Sequence, residues 1–466
     1  MKIAMCASEV VPFAKTGGLA DVAGALPLAL EAEGEEVIIV MPKYKMIQDS
    51  KFNIQKLKND ISYTTIGKKI KVFFLENDNY FNRDGLYGDK AGDHKDNLDR
   101  FSFYCKRTLN LLKEIGFRPD IIHVHDWQSC LIPVYLKSLY AKDPFYKDTK
   151  TVLTIHNIGY QGLFPKDEYP KLGLDWSYFT MEGLEFFDRI NILKGGMMFS
   201  DVINTVSPTY AKEIQTKEFG FGLEGVLNKR RNDVYGILNG LDYSIWSPKT
   251  DKYIAKKFTL STLAGKLKCK ENLESICKLP KKKNVPLIGI VSRLAAQKGF
   301  DILADEIDTI CKMDLQIVIL GTGDQKYHDI MEEMVKKYPD VISLSLKFDD
   351  VLAHKIYAGS DIFLMPSKYE PCGLGQLISL KYGTIPLVFK TGGLADTVNK
   401  NNGFVFDKYT SKELVATIKK AVAAYKSKAR WNALVKRAMK YDFSWDEQSK
   451  EYLKLYAKAK AKAKGK

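Results

Sequence analysis

Residues 15–21 read KTGGLAD, and the same seven residues return at 390–396. In each copy a short apolar run comes first, KIAMCAS (2–8) or TIPLVF (384–389), and an apolar, helix-like pattern follows the glycine pair. Glycines at a strand-to-helix turn let the backbone approach a ligand closely, and the N–H groups at a helix N-terminus favour an anion. One copy alone would predict only a tight turn, because its spacing is neither G-x-G-x-x-G nor that of a P-loop. Two copies predict two loops that bind one chemical group.

Apolar runs of this kind recur along the chain and alternate with helix-length segments. They are VIIVMP (37–42), KVFFLE (71–76), DIIHVHD (120–126), TVLTIHN (151–157), DVINTVS (201–207), LIGIVSR (287–293), LQIVILG (315–321), VISLSL (341–346), DIFLMPS (361–367) and TIPLVF (384–389). Strands that are continuously apolar and separated by helices indicate parallel sheets covered on both faces. The sequence therefore predicts an α/β fold with two Rossmann-like, doubly wound parallel-sheet domains.

The division into domains follows from length and from a change in composition. At roughly 100–200 residues per domain, a chain of 466 residues predicts two or three domains. A lysine-rich helical segment between WSPKTD (246–251) and KKKNVPLIG (281–289) separates the two sets of strands. We therefore expect an N-terminal domain at 1–246, a C-terminal domain at 247–440, and a final helix with a lysine-rich tail at 441–466. Ligands of open parallel sheets bind outside the carboxyl ends of the strands, so the paired heptapeptides predict an interdomain cleft.

Composition and charge narrow the class of protein. With 45% hydrophobic and 27% charged residues, the chain is predicted to be globular. The formal charge of +15 would suit nucleic acid, but the lysines concentrate in KLPKKKN (278–284) and AKAKAKAKGK (457–466), which indicate a connecting loop and a solvated helix end. No signal peptide, membrane-spanning run or nucleic-acid motif is found, so we expect a cytoplasmic protein without a nucleic-acid or membrane partner. The seven cysteines never form Cys-x-x-Cys, which disfavours disulfides and a zinc site.

Further motifs follow the predicted strands and carry a resemblance to a known family. They are HVHDW (123–127), TIHNIGYQG (154–162), GILNGLDYSIWSP (236–248), SRLAAQKGFD (292–301) and PSKYEPCGLGQL (366–377). Together with the heptapeptides, they resemble the bacterial and plant glycogen and starch synthases of glycosyltransferase family 5, which are retaining enzymes of the GT-B fold. The resemblance keeps its motif order over nearly the whole chain.

The resemblance implies transfer of glucose, with retention, from ADP-glucose to the non-reducing end of an α-1,4-glucan. It places the acceptor on the N-terminal domain and the nucleotide sugar on the C-terminal domain, and it implies that the final helix packs back on the N-terminal domain. A departing diphosphate carries negative charge that must be held. In the family, cationic side chains and backbone N–H groups do this without a metal, and no other cofactor is expected. The matching groups are Arg293, Lys298 and Lys15, with the amides around Gly18, Thr391 and Gly392.

The resemblance assigns two sets of site residues. The catalytic set is His156, Arg293, Lys298 and Glu370. The substrate-binding set is Lys15, Gly17, Gly18, Asp21, Asp126, Asn157, Asn239, Phe348, Cys372, Gly373, Leu374, Thr391 and Gly392. By family match, Glu370 binds the donor glucose, His156 contacts the sugar 6-hydroxyl, and Asp126 positions sugar hydroxyls. Cys372 contributes its backbone, whereas His123 and His125 are interpreted as structural.

The chain departs from the family pattern at three places. Ile378 stands where many retaining GT-B enzymes have a second Glu, which favours a front-face substitution in which the leaving phosphate takes the acceptor proton. Residues 93–97 read DHKDN where the family has Asp-Tyr-x-Asp-Asn, so an aromatic sugar contact is absent there. Phe348 stands where an adenine-stacking Tyr is common. The donor preference is therefore less specified than the reaction.

Three alternatives stay open at this point. One is a synthase that prefers UDP-glucose or accepts both donors. Another is a glucan phosphorylase, which needs pyridoxal phosphate on a lysine. The third is a non-enzymatic scaffold that binds glucan or nucleic acid through its positive charge. The sequence predicts no oligomeric state.

Overall fold

The computed structural model describes residues 1–89 and 92–462. Its internal contacts divide the chain into two compact units, one comprising Met1–Gly240 with Trp445–Lys466 and the other Leu241–Ser444. The chain therefore leaves the first unit after Gly240 and returns to it at Trp445. Residues 463–466, the end of the lysine-rich tail, lie outside the described residues.

The first unit is built on a large, mostly parallel sheet. Among residues 1–89 and 92–240, its strands are β1 (Lys2–Cys6), β2 (Glu36–Pro42), β3 (Gln55–Lys58), β4 (Ile61–Ile66), β5 (Ile70–Leu75), β6 (Gly88–Asp89), β7 (Gly92–Asp93), β8 (Ile121–His125), β9 (Lys150–Ile155), β10 (Leu163–Pro165), β11 (Glu185–Phe186), β12 (Arg189–Asn191), β13 (Val202–Thr205) and β14 (Val234–Gly236). The main sheet runs in the order β14-β13-β9-β8-β1-β2-β5-β4-β3, and β10-β12-β11 form a small separate sheet. Strands β14 to β5 of this order pair in parallel, whereas β4 and β3 are antiparallel.

Helices of the first unit cover this sheet. They are α1 (Gly18–Ala32), α2 (Asp49–Phe52), α3 (Asp78–Phe81), α4 (Asn97–Glu114), α5 (Asp126–Ser129), α6 (Leu131–Lys137), α7 (Ile192–Phe199), α8 (Pro208–Glu213) and α9 (Glu224–Lys229), with 3₁₀ turns at Lys166–Leu172, Trp176–Tyr178 and Arg231–Asp233. Every residue of β8 and β9 is buried, as expected for parallel strands covered on both faces. The chain proceeds from β1 to β2 on one side and later adds β8 on the other. The carboxyl ends of β1 and β8 therefore flank a topological switch point, where open α/β sheets bind ligands.

The second unit is an all-parallel sheet with the Rossmann strand order. Its strands are β15 (Leu287–Val291), β16 (Gln316–Leu320), β17 (Ile342–Ser345), β18 (Ile362–Met365), β19 (Ile385–Phe389) and β20 (Phe404–Phe406), arranged as β17-β16-β15-β18-β19-β20. Its helices are α10 (Ala264–Ile276), α11 (Phe300–Ala304), α12 (Ile307–Cys311), α13 (Gln325–Lys337), α14 (Asp350–Gly359), α15 (Gly375–Lys381), α16 (Gly392–Thr397), α17 (Ser411–Lys426) and α18 (Lys428–Ala438), with a 3₁₀ turn at Ala296–Lys298. Counted within this unit, the strand order reads 3-2-1-4-5-6, so the switch point lies between β15 and β18.

The last helix, α19 (Trp445–Ala461), packs on the first unit. The Tyr456 hydroxyl lies 2.9 Å from His123 Nδ1 at the sheet. Lys458 and Lys460 at the end of this helix are exposed, as the sequence predicts, and Lys462 is half-buried. Lys460 Nζ lies 2.7 Å from Asp120 Oδ1, and Lys462 Nζ donates to the Asp201 carbonyl at 2.7 Å. These aspartates immediately precede β8 and β13, so the amino ends of the strands supply acceptors that the sequence pattern does not reveal.

The predicted α/β class with two doubly wound parallel sheets is confirmed, and the predicted apolar runs form strands. The antiparallel edge and the small sheet are not anticipated. Strand β3, for example, is exposed along its whole length, so it lacks an apolar signal. Among residues 1–89 and 92–462, no helix has both the length and the apolarity needed to cross a membrane. None of the seven cysteines of the described chain forms a disulfide.

Candidate functional site

The switch point of the second unit carries the three charged residues that the sequence singles out there. Arg293 and Lys298 lie in the loop after β15, and Glu370 lies in the loop after β18. Strands β15 and β18 are direct neighbours, so their carboxyl-end loops meet. Lys298 Nζ lies 2.6 Å from Glu370 Oε2 in a pair that is largely shielded from solvent. The fold thus brings together residues separated by 72 positions in the sequence.

Gln297 fixes the two loops against each other. Its side-chain Nε2 donates to the Tyr369 carbonyl at 3.3 Å, and its backbone carbonyl accepts from Lys368 N at 3.0 Å. Arg293 is exposed and donates to Gln297 Oε1 at 3.2 Å. The exposed guanidinium thus contacts the residue that precedes Lys298, and it offers a planar fork of donors where Lys298 offers a compact ammonium charge.

The second heptapeptide packs directly on the Glu370 loop. Gly392 has a φ of +41°, and a Cβ added to it would lie 2.0 Å from the Glu370 carbonyl oxygen. A Cβ on Gly393 would lie 2.1 Å from the Cys372 carbonyl oxygen. The Gly393 N–H donates to the carbonyls of Glu370 and Pro371 at 3.2 and 3.1 Å. These glycines are thus required by the folded chain itself, and they hold Thr391 and Gly392 beside Glu370.

The rest of this loop is shaped by backbone contacts. Gly373 has a φ of +74°, which favours glycine. The Gln376 side chain donates to the carbonyls of Cys372 and Gly373, each at 2.9 Å, and thereby fixes the turn before Leu374 and helix α15. The Cys372 carbonyl is thus used within the fold, and a backbone contact from Cys372 to a ligand stays a prediction. Phe348, between β17 and α14, is 88% exposed, so its ring is available for stacking.

The first heptapeptide has the same sequence but a different environment. Helix α1 begins at Gly18, and Lys15 Nζ lies 2.7 Å from Asp21 Oδ1 within the repeat. A Cβ added to Gly17 or Gly18 would meet no atom within 4 Å. Gly17 also has an ordinary extended backbone, with φ −152° and ψ −167°. Unlike the second copy, this glycine pair borders open space.

The sequence reasoning missed Glu9, which holds the first heptapeptide loop. The Glu9 carboxylate is buried and accepts hydrogen bonds from Thr16 N, from Thr16 Oγ1 at 2.6 Å and from Gly17 N at 3.3 Å. The Tyr87 hydroxyl donates to Glu9 Oε1 at 2.6 Å. The sequence offers only a weak signal for this role, an acidic residue placed between the apolar segments IAMCA (3–7) and VVPF (10–13).

Asp126 directly follows strand β8, the neighbour of β1 in the sheet. It is a non-glycine residue with a φ of +51°, and such strained backbone is concentrated at functional sites. Its Oδ1 accepts the backbone N–H of His156 at 2.7 Å, which links the ends of β8 and β9. Burial raises the pKa of this carboxyl to about 7, and the nearby Glu9 charge adds to the shift. Asp126 can therefore change its charge near neutral pH.

His123 and His125 on β8 and His156 after β9 form a row of three histidines next to Asp126. The His123 and His125 rings lie 4.2 Å apart, and His125 Nδ1 lies 3.0 Å from His156 Nε2. Desolvation lowers the pKa of His123 and of His156 to about 3, and it places the pKa of His125 well below its ordinary value. All three rings are therefore neutral at physiological pH.

The row assigns a tautomer to His156. His125 Nε2 is buried and has no hydrogen-bond partner within the described part of the chain. If His125 carries its proton on Nδ1 and donates it to His156, only the lone pair of His125 Nε2 lacks a partner. If His125 instead carries its proton on Nε2, a buried N–H lacks an acceptor, which is rarer in proteins. His156 then accepts at Nε2 and carries its proton on Nδ1. His125, interpreted from the sequence as structural, thus also orients His156.

Two of the predicted substrate-binding residues in the first unit are asparagines. Asn157 Oδ1 accepts from Gly159 N at 3.0 Å and shapes the loop that follows β9. Asn239 is buried just before the chain leaves the unit, and its Oδ1 has no partner within the described residues. A buried amide oxygen of this kind is an available acceptor for a ligand donor.

No group of three or more His, Cys, Asp or Glu residues is placed to hold a metal ion within residues 1–89 and 92–462. The positive charge at the second unit's switch point comes instead from Arg293 and Lys298.

Comparison with known proteins identifies the class of this site. The profile described as the starch synthase catalytic domain matches residues 2–229, and that described as glycosyl transferases group 1 matches residues 272–437. A glycogen synthase of Geotalea daltonii is 48% identical over 476 aligned positions, which cover 98% of each chain. The chain belongs to the glycogen and starch synthase family of glycosyltransferases. A glycogen synthase of Thermotoga petrophila is 47% identical and covers 98% of this chain and 99% of its own.

Solved structures agree with this family membership. The catalytic domain of starch synthase IV from Arabidopsis thaliana, solved with ADP and acarbose, superposes with a TM-score of 0.90 at 32% identity and covers 99% of both chains. The two α/β units are thus those of the GT-B fold. Membership of a hexosyltransferase family confirms the predicted enzyme class and decides against the phosphorylase and scaffold alternatives.

Proposed function

We propose that this glycosyltransferase elongates α-1,4-glucan by moving glucose, with retention, from ADP-glucose to the non-reducing end of the acceptor. The observation that carries the proposal is the pairing of Lys298 with Glu370 at the second unit's switch point, with Arg293 in the same loop as Lys298. Two supports come from outside the chain: its curated relatives are named glycogen synthase, and the related Arabidopsis structure contains ADP and acarbose.

The charges suit a departing nucleoside diphosphate. As the bond between the anomeric carbon and the phosphate oxygen breaks, negative charge grows on that oxygen, and fixed cations stabilise it. The Lys298 ammonium is paired with Glu370 at 2.6 Å. A bound diphosphate would compete for Lys298, and the Glu370 carboxylate would then accept hydroxyl donors of the glucose. The proton of the attacking acceptor hydroxyl passes to the leaving phosphate oxygen, so no enzymatic nucleophile is needed.

The first unit supplies the remaining groups of the proposal. His156 Nδ1–H donates to a sugar oxygen, Asp126 accepts sugar hydroxyls, and Asn239 Oδ1 accepts from the donor. Lys15 and the amides near Gly18 contact the diphosphate from this unit. That both units hold the reactants jointly, in a cleft, stays a prediction, as does a cytoplasmic location.

The test is a direct measurement of nucleoside diphosphate released in the presence of glycogen. We expect ADP release from ADP-glucose, and a large preference for UDP-glucose would replace the proposed donor. Arg293→Ala and Lys298→Ala should each lower kcat/KM at least about a hundredfold. This corresponds to about 2.7 kcal/mol of lost transition-state stabilisation, which is typical of removing one group that stabilises transition-state charge. Lys312→Ala is the matched control, since this exposed lysine pairs with Asp308 on α12. Near wild-type rates for Arg293→Ala or Lys298→Ala would refute that residue's role.

A further inference from the structure

The hairpin of β11 and β12 breaks a local rule of turn chemistry. Phe186 pairs with Arg189, which leaves Phe187 and Asp188 as a two-residue loop. Both have positive φ, at 50° and 57°. A two-residue hairpin loop with two positive φ values is a type I′ turn, for which Asn-Gly is strongly preferred. A phenylalanine at its first position is therefore held in a disfavoured backbone conformation.

Packing does not explain Phe187. Its side chain is 81% exposed, and its ring meets that of Phe186 edge-on at 4.7 Å. Asp188, by contrast, is accounted for by local contacts, because its N–H donates to Glu185 Oε1 at 2.9 Å and its carboxylate lies 2.8 Å from Lys166 Nζ. Phe187 thus adopts a disfavoured backbone conformation without burying its side chain in the fold. Such a residue indicates a role in binding another molecule.

A second strained phenylalanine lies beside this hairpin. Phe221 has a φ of 52° and is 52% exposed. The next residue, Gly222, backs the Phe186 ring so closely that an added Cβ would lie 2.9 Å from Phe186 Cζ. A Cβ on Gly159 would touch the Phe221 ring at 3.8 Å, and Tyr160, the residue after it, is 60% exposed. The Phe186 and Phe187 rings are thus in contact, and the close approach of Gly222 and Gly159 brings the neighbouring Phe221 and Tyr160 to the same region. These four residues, Tyr160, Phe186, Phe187 and Phe221, are here called the aromatic platform.

Buried hydrogen bonds tie the platform to the site loop that starts at His156. Gln161 Nε2 donates to the Phe221 carbonyl at 3.0 Å, and Asn191 Nδ2 donates to Gln161 Oε1 at 2.7 Å. Asn191 Oδ1 in turn accepts from Lys194 N at 2.9 Å at the start of α7. The platform is therefore fixed in position relative to the loop that carries His156.

We propose that the aromatic platform binds glucose units of the acceptor glucan beyond its reacting end. The proposal rests on the proposed function, which supplies the glucan. The C–H face of a glucopyranose ring stacks on an aromatic ring, and contiguous exposed rings mark interaction sites. Lys166 and Asp188 beside the turn are paired with each other, and the hairpin's other two charges, on Glu185 and Arg189, are of opposite sign. This balance of charge suits a neutral polysaccharide rather than a polyanion. Continuity with the His156 loop places the platform along a chain whose end reacts there.

The test uses Phe187→Asn in the full chain, because Asn tolerates positive φ and removes the ring. The readout is the ratio of the apparent KM for glycogen to that for maltotriose, with affinity electrophoresis through glycogen-containing gels as a measurement that needs no donor. We expect the ratio to rise about fivefold, in keeping with the loss of one aromatic contact, while the melting temperature does not fall. Phe187→Trp should keep wild-type binding. Met181→Asn, which removes a side chain that is 80% exposed but has no ring, should also bind as wild type.

The other outcomes overturn the proposal. An unchanged ratio and unchanged gel mobility would do so while leaving the transferase function intact. Equal weakening by Met181→Asn would show that the ring is not what matters. A wild-type dimer that Phe187→Asn dissociates in analytical ultracentrifugation would assign the surface to a second copy of the chain. Failure of the wild type to transfer glucose would refute the proposed function, and the gel measurement would still decide whether the platform binds glycogen.

Discussion

Asp126 offers a prediction whose size can be worked out from its environment. Its carboxyl is raised from an ordinary pKa of 3.8 to about 7 by burial. Because the folded state holds the proton more tightly, the associated stability is fully present below about pH 4 and is lost as the pH rises through about 7. The whole shift corresponds to about 4 kcal/mol, of which about 3 kcal/mol is lost between about pH 5 and pH 8.5.

Asp126→Asn removes this titration. The amide keeps an oxygen for the His156 N–H, and any fixed cost of the substitution applies equally at both pH values. Relative to wild type, the melting transition of the first unit should therefore gain about 5 to 10 °C between pH 5 and pH 8.5. Scanning calorimetry at the two pH values measures this difference. Asp60→Asn is the control, since its bond to Arg107 lowers the pKa of Asp60 and keeps it ionised across that range. A difference for Asp126→Asn that is the same at both pH values would refute the reasoning.

Three further predictions test other parts of the site. Gly17→Ala should change the free energy of unfolding by less than about 0.5 kcal/mol yet reduce activity. Gly392→Ala should instead destabilise the second unit by about 3 kcal/mol or more. Thermal unfolding measures the stability of each variant, and nucleotide release measures its activity. His125→Asn should lower kcat about tenfold by freeing the His156 ring, whereas His123→Asn should chiefly lower the melting temperature, and similar kcat values for both variants would contradict this. Activity should survive dialysis against EDTA, and a loss that Mg²⁺ restores would show that the cations of the second unit are insufficient.

The sequence predicts features that depend on local pattern. Continuous apolar runs identify buried parallel strands because each run is buried on both faces whatever its neighbours are. Strand order depends instead on pairing between distant segments, so the switch point between β15 and β18 could not be deduced from periodicity. The meeting of Lys298 with Glu370 was accessible only through family resemblance, since 72 residues separate them.

Residues whose roles depend on tertiary contacts escaped the sequence reasoning. Glu9 looks like an ordinary polar residue after a strand until the fold brings Thr16 and Tyr87 onto its carboxylate. His125 gains its role from the register of β8 against β9, which brings its ring to His156. The Phe-Asp turn was missed for the opposite reason. Its residues carry no turn signal, and the two-residue loop is visible only in the pairing of β11 with β12.

The two heptapeptides show that one sequence can be retained for two physical reasons. In the second copy the fold itself excludes a side chain, because Gly392 and Gly393 lie against the carbonyls of Glu370 and Cys372. In the first copy the fold imposes no such limit, since Gly17 is in extended backbone and a Cβ would meet open space. Alanine would lose less conformational entropy than glycine at such a position, so the folded chain alone gives no reason for glycine there. We therefore predict that a molecule approaching this backbone imposes the requirement, and the Gly17→Ala variant tests this prediction without disturbing the fold.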